Sequence, residues 1–382
     1  MRLGDCGKTN LHTYSDKEKW SLIRYLDTGS ITEGRIDEIQ TLYPGVDKIP
    51  SRARRKASVG DILFSTVRPN QKHYGIIEAG TENLLVSTGF TVVTVDTTIA
   101  DPYFIYYYLT QSSVIESLQA IAEQSTSTYP SIKPSDIEDI ELDLPELETQ
   151  KKIGSTLRML DRKIALNEEI NDNLQQQAAA LFSSLYDRTN TEVRFTDLIQ
   201  ILGGGTPKTG ENTYWNGNIA FFTPKDVGTP YTLITEKTIT EEGLSHCNSR
   251  LYPVNTVFVT ARGTVGKVGM SGVPMAMNQS CYALVGKETH QLLVYFYTLK
   301  AVDRLKHKAS GAVFDAITTR DFESEQIMKL SDDDAKAFLC IAEPMFQKVL
   351  NNCIENLRLS TLRDSLLPKL MSGEVDVSAV QL

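Results

Sequence analysis

No run of about 18 apolar residues occurs in this sequence, so it offers no candidate for a membrane-crossing helix. Met1-Arg2-Leu3-Gly4-Asp5 leads straight into polar sequence, and no secretory signal is read there. Cysteine is scarce: Cys6, Cys247, Cys281, Cys340 and Cys353 include no C-x-x-C pair, which argues against a disulfide framework or a zinc site. Histidine is as sparse. His12, His73, His246, His290 and His307 show no ligand spacing, and the adjacent His246 and Cys247 do not aim together at one metal. No Ser/His/Asp set or paired carboxylates stand out, so no catalytic residue is assigned. Positive charge is in deficit too, with 39 Lys and Arg against 48 Asp and Glu. The resulting −9 disfavours a nucleic-acid surface on average, but phosphates are met by local patches rather than by averages. The expected location is the cytoplasm.

What the chain does have is internal repetition. Ser125/Ser310, Tyr129/Phe314, Ile132/Ile317, Asp136/Asp321 and Glu138/Glu323 are each 185 residues apart. The same offset holds for Lys151/Lys336, Lys163/Lys348, Asn167/Asn352, Asn171/Asn356, Leu174/Leu359, Leu181/Leu366 and Leu185/Leu370. Upstream, Phe64-Ser65-Thr66-Val67-Arg68 echoes Phe258-Val259-Thr260-Ala261-Arg262 at offset 194, which implies loops of different length within similar units. At 382 residues more than one domain is expected. The chain reads as two copies of one plan, a mixed globular part followed by a long helical part.

The first helical part covers roughly residues 147–187. Ile153, Leu157, Leu160, Ile164, Asn167, Asn171, Leu174, Ala178, Leu181 and Leu185 alternate steps of four and three, the heptad pattern. Phe338, Ala342, Met345, Val349, Asn352, Asn356, Leu359, Arg363, Leu366 and Leu370 take the same places in the second copy, with Ser331 as its N-cap. Pro344 and Pro368 are expected to kink or end that helix. Antiparallel packing sets residue i against residue 523 − i, because 167 + 356 and 171 + 352 agree. Ile153 then meets Leu370, Ile164 meets Leu359, and the four asparagines gather at the centre, where paired amides fix the register. Leu160 opposite Arg363 fits badly.

The globular parts show strand-like runs at 59–66, 90–95, 256–260 and 280–285, with helical stretches at 105–118 and 292–307. The expected class is therefore α+β: two mixed α/β domains in tandem pseudo-repeat, at 1–145 and 191–330. Two long antiparallel coiled-coil helices, at 146–190 and 331–382, separate them.

Several motifs admit a sharp and a plain reading. Asp101-Pro102-Tyr103-Phe104 is close to the Asp/Asn-Pro-Pro-aromatic loop of amino-methyltransferases, but the second proline is missing; a helix start capped by Asp101 is the better account. Gly263-Thr264-Val265-Gly266-Lys267 fails the phosphate-loop pattern, since Ala261 stands where its first glycine belongs; a turn fits, with Lys267 free to face a ligand. Arg52, Arg54, Arg55 and Lys56 form the densest positive run, either a solvated face or a phosphate contact. Arg68 and Arg262, read as repeat equivalents, serve either a shared loop role or a salt bridge in each copy.

Other segments resemble the specificity subunits of type I restriction–modification systems. Leu144-Pro145-Glu146-Leu147-Glu148-Thr149-Gln150 and Leu160-Asp161-Arg162-Lys163-Ile164 resemble that family's central helix, and Leu362-Arg363-Asp364-Ser365-Leu366-Leu367-Pro368-Lys369 its C-terminal signature. Gly203-Gly204-Gly205-Thr206-Pro207-Lys208 with Tyr214-Trp215-Asn216-Gly217 resembles the opening of a target recognition domain. The first copy has no such glycine run near Gly4-Asp5-Cys6-Gly7.

The resemblance implies two target recognition domains, each reading half of a bipartite asymmetric duplex DNA site, and helices that set the spacing. Partners implied are adenine methyltransferase subunits and restriction/translocase subunits, with S-adenosylmethionine, ATP and Mg belonging to them and no cofactor in this chain. Candidate DNA-binding residues are Arg52, Arg54, Arg55, Lys56, Arg68, Lys72, Thr206, Lys208, Lys225, Arg262 and Lys267. Asn167, Asn171, Asn352 and Asn356 are the candidate register residues. The rival reading is a tandem-repeat protein-binding scaffold without DNA specificity.

Overall fold

The computed structural model describes residues 1–125, 129–228, 230–308 and 316–377. Part of the repeated segment, including Ser310 and Phe314, lies outside the described residues. Contacts divide the chain into two compact units, Met1–Lys163 with Leu359–Leu382, and Ile164–Arg358. The division falls inside two 40-residue helices, Leu147–Tyr186 and Asp332–Met371, so each unit holds part of both. Among the described residues no helix is long and apolar enough to cross a membrane.

In the first unit, Ile62–Ser65 is buried along its whole length because its sheet is covered on both faces. Ile62 and Phe64 pack with Val93, Phe104 and Ile105, while Leu63 points the other way, to Leu26, Phe90 and Val92. That sheet runs Gly7–Thr9, Phe90–Val95, Ile62–Ser65, Tyr74–Ile76, all antiparallel. A second sheet orders Gln40–Leu42, Ile23–Leu26, Leu84–Ser87 and Ala53–Lys56 around one parallel pair.

The second unit repeats this plan. Cys281–Gly286 pairs with Val257–Thr260 and Ile199–Gly203, and Trp215–Phe222 lies parallel to Met275–Met277. Its buried cluster Phe222, Tyr252, Phe258, Met275, Met277, Cys281 and Ala283 matches Leu26, Ala57, Leu63, Leu84, Val86, Phe90 and Val92 of the first unit, position for position.

This match corrects the offset read from sequence. The Ser65 amide donates to His73 O, and the Thr260 amide to Lys267 O; the Ile132 amide donates to Thr66 O, and the Ile317 amide to Ala261 O. Ser65/Thr260 and Thr66/Ala261 are each 195 apart, not 194. Arg262 therefore takes the place of Val67, each bridged to a residue of the repeated segment (Ala316 and Ser131). Arg68 takes the place of Gly263, and both have positive φ, 49° and 80°. The shared phenylalanines misled the sequence comparison: Phe64 and Phe258 face opposite sides of their sheets, as a one-residue slip requires. The glycine run is corrected in the same way. Gly7 pairs with Val95 as Ile199 pairs with Gly286, so the position of Gly204 in the first unit is His12.

The helix Asp332–Met371 carries through Pro344 and Pro368, so of the expected kink or early end the early end does not occur. Both prolines are exposed, so the carbonyls they leave without an amide meet water. The expected helix at 105–118 is two helices, Pro102–Leu109 and Ser112–Glu123. Asp101 caps the first of them, accepting the Phe104 amide at 2.9 Å.

Candidate functional sites

In the second unit four loops meet beside the sheets. Gly204 and Gly205 lie against Met277–Asn278 so tightly that a Cβ on Gly204 would stand 2.1 Å from Asn278 O. Thr206 donates its hydroxyl to Gln279, the next residue's carbonyl (Ser280) accepts the Arg262 amide at 3.3 Å, and Thr264 Oγ1 donates to Pro224 O at 3.1 Å. Thr206, Lys225, Arg262 and Lys267 are thereby gathered on neighbouring loops. Lys208, Arg262 and Lys267 are exposed; Lys225 Nζ lies 3.4 Å from Glu236.

The first unit builds the same edge from different residues. The Thr88 amide donates to Arg52 O, and the Thr66 amide to Gly89 O. Arg68 and Lys72 bracket the turn Pro69–Gln71 in left-handed conformation. Arg68 lies over the Tyr129 ring at 5.2 Å, and Lys72 is held by Glu33 at 2.5 Å. Arg54 lines a cleft of 460 Å³ with Tyr14, Lys19 and Trp20. Lys56 sits 2.5 Å from Glu18 and 5.1 Å above Trp20, and that contact holds the Glu18 carboxyl below its usual range. Arg55 differs from all of these. Its Nε is buried without a hydrogen-bond partner, and desolvation lowers its pKa.

The four asparagines come together inside the second unit. Asn167 Nδ2 donates to Asn356 Oδ1 at 2.8 Å and to Glu355 Oε2 at 2.9 Å; Asn352 Nδ2 donates to Asn171 Oδ1 at 2.8 Å. Asn356 Nδ2 reaches Ile164 O at 3.3 Å, while the buried Asn352 Oδ1 has no partner. In the first unit, Ile153 and Leu370 share one core. The awkward Arg363 resolves differently from a seam residue: it reaches past Leu160 to Asp161, at 2.7 Å. Sequence reading missed that ion pair, although Asp161 stands next to the position flagged. Among the described residues no group of three or more His, Cys, Asp or Glu is placed to hold a metal.

Two similar α/β units, each presenting a polar and basic loop edge, together with two long shared helices, define a modular binding protein. The profile of the type I restriction modification DNA specificity domain matches residues 53–176 and 188–329, more than half the chain. The chain belongs to that family and is a DNA specificity subunit of a type I restriction–modification system. It is 24% identical to the type I restriction enzyme HindI specificity subunit of Haemophilus influenzae, covering 98% of each chain. The MjaIX specificity subunit of Methanocaldococcus jannaschii is 22% identical, over 83% of this chain and 78% of that one. The crystal structure of the type I restriction-modification S subunit from M. genitalium shares the fold, with a TM-score of 0.61 at 16% identity over 97% and 95% of the two chains.

Proposed function

We propose that this subunit reads a bipartite asymmetric duplex DNA site, with each globular part, 1–145 and 191–330, reading one half. The observation that carries this reading is the repeated core with the same loop edge in both units. Arg52, Arg54, Lys56, Arg68, Lys72, Lys208, Lys225, Arg262 and Lys267 supply phosphate contacts, and Thr206 follows the close backbone approach of the glycine run. The two long helices pair as an antiparallel coiled coil, and its register, held by the asparagine layer, sets the spacer between half-sites. The chain itself performs no chemistry. Adenine methyltransferase subunits with S-adenosylmethionine, and restriction/translocase subunits with ATP and Mg, join it in the cytoplasm and supply the reactions.

Replacing residues 191–330 with the corresponding domain of a relative tests this directly. Mapping methylated adenines should show one half of the motif changed and the other kept. A motif altered in both halves, or in neither, refutes the modular reading.

A further inference from the structure

We infer that Arg55 and Arg250 are the paired specificity-determining residues of the two units, each reading a guanine edge in its own half-site. The inference rests on the DNA-reading function proposed above. The two arginines occupy one position of the repeated plan: Arg55 stands two residues before Ala57, Arg250 two before Tyr252, and Ala57 and Tyr252 fill the same place in the two matching cores.

Their surroundings match as well. In the first unit the Tyr14 amide donates to Arg54 O and the Lys56 amide to His12 O, so residues 12–14 run alongside Arg55. The corresponding segment of the second unit is the glycine run, and a Cβ on Gly205 would stand 2.6 Å from the Asn248 amide nitrogen, two residues from Arg250. Arg55 thus borders the segment after Gly7–Thr9, and Arg250 lies two residues from the contact of Asn248 with the segment after Ile199–Gly203.

Several of the other candidate cations are held by neighbours. Lys56, Lys72 and Lys225 are occupied by Glu18, Glu33 and Glu236, and Arg68 lies on Tyr129. Among the described residues neither the Arg55 nor the Arg250 guanidinium has an ion-pair or hydrogen-bond partner, in a chain where 48 acidic residues outnumber 39 basic ones. A buried Nε–H without an acceptor is costly, and it persists where an acceptor arrives from outside. A phosphate needs only a mobile charge, which exposed lysines supply. The half-buried Arg55 guanidinium suits a planar pair of acceptors, and O6 with N7 of guanine in the major groove is such a pair; the exposed Arg250 carries the same fork at the same position of the plan.

The test uses Arg55→Lys and Arg250→Lys in the full chain assembled with its methyltransferase. Both substitutions keep the charge and remove the fork. Binding is measured on duplexes randomised in one half-site at a time, and methylated adenines are mapped. Each variant should lose about tenfold or more discrimination at one guanine of one half-site, a different half for each variant. The unaffected half reports that the protein is folded. Unchanged preferences in both halves overturn the inference. So does loss spread evenly over all sequences with a shallower salt dependence, which marks a phosphate contact. A parent protein with no sequence preference at all overturns the function proposed above, and this inference with it.

Discussion

The same junction, between the long helices and the helix that follows each sheet, is polar and borders a cavity in the first unit and is aromatic and packed in the second. In the first, Tyr107 donates its hydroxyl to Asp161 Oδ2 at 2.6 Å, and Arg363 bonds Asp161 Oδ1 at 2.7 Å and Asp364 at 2.8 Å. They border a cavity of 320 Å³ with the buried Tyr74 and Tyr106. Burial opposes the charge on Arg363, but Asp161 and Asp364 outweigh it and raise the guanidinium pKa; burial, reinforced by Asp161, raises that of Tyr107. Shifting Asp161, Arg363 and Leu367 by the 185-residue offset gives Phe346, Ala178 and Phe182, and the helical counterpart of Tyr107 is Phe296. There the Phe182 and Phe296 rings lie 5.0 Å apart and Phe296 and Phe346 5.5 Å. One backbone plan accepts either solution because both fill or satisfy the junction. They differ in what a single change does: an apolar cluster loses contacts, whereas a polar network leaves stranded charges.

The largest effect is expected at Phe182, which is fully buried among Tyr186, Phe296, Tyr297 and Phe338. Phe182→Ala should cost the second unit about 3–5 kcal/mol. Its counterpart Leu367 borders the cavity, so Leu367→Ala should cost the first unit less, about 2 kcal/mol, the low end for a leucine truncation. Hydrogen exchange resolved by unit measures both. Equal losses would erase the contrast between a packed and a hollow junction.

An effect smaller than that of Phe182→Ala should follow Asp161→Ala, about 2–3 kcal/mol, because Tyr107 loses its acceptor while Arg363 keeps Asp364. The triple change Asp161→Phe, Arg363→Ala, Tyr107→Phe carries the second unit's solution into the first. Hydrophobic replacement of the whole network should restore most of that loss and bring the first unit's protection against exchange back toward the parent level. A triple variant weaker than Asp161→Ala would show that the surrounding shape, not the polarity, separates the two junctions.

The asparagine layer should respond in the opposite direction. Replacing Asn167, Asn171, Asn352 and Asn356 with Leu removes the unpartnered Asn352 Oδ1 and should raise the thermal midpoint by a few degrees. The spacer of the methylated motif should meanwhile become less strict. An unchanged spacer would separate the layer's stability from any ruler role.

These contrasts mark how far the sequence could be read. The helices and the Asn167–Asn356 and Asn171–Asn352 pairs were legible because heptad spacing and a constant offset are one-dimensional signals. The run Phe90–Val95 was likewise legible from its apolar composition and bounding turn residues. Three-dimensional features were not. Which face Phe64 takes depends on the sheet's neighbours, so matching phenylalanines by letter slipped the register by one. The burial of Arg55 depends on residues 12–14 crossing beside it, which no local pattern announces. A charge run in sequence therefore looked uniform, although Lys56 is paired and Arg55 is not.

The smallest expected effect discriminates the two registers most cleanly. If Arg68 and Arg262 were equivalent, replacing either with Gly would cost alike. In the structure Arg68 has φ 49°, the left-handed region, where its counterpart is Gly263, whereas Arg262 is absent from the positive-φ residues. Arg68→Gly relieves about 1 kcal/mol of backbone strain. It also loses a contact with Tyr129 of about 0.5–1 kcal/mol and adds freedom to the unfolded chain. The net change should be a cost of about 0–1 kcal/mol, with the strain relief offsetting most of the loss. Arg262→Gly relieves nothing, and the added unfolded-state freedom should cost about 0.5–1 kcal/mol. Gly263→Arg forces a side chain into left-handed backbone and should cost about 1 kcal/mol. Urea unfolding of the three variants, each read by exchange within its own unit, gives the order. Equal costs for Arg68→Gly and Arg262→Gly would restore the 194-residue register and remove the equivalence of Arg55 with Arg250.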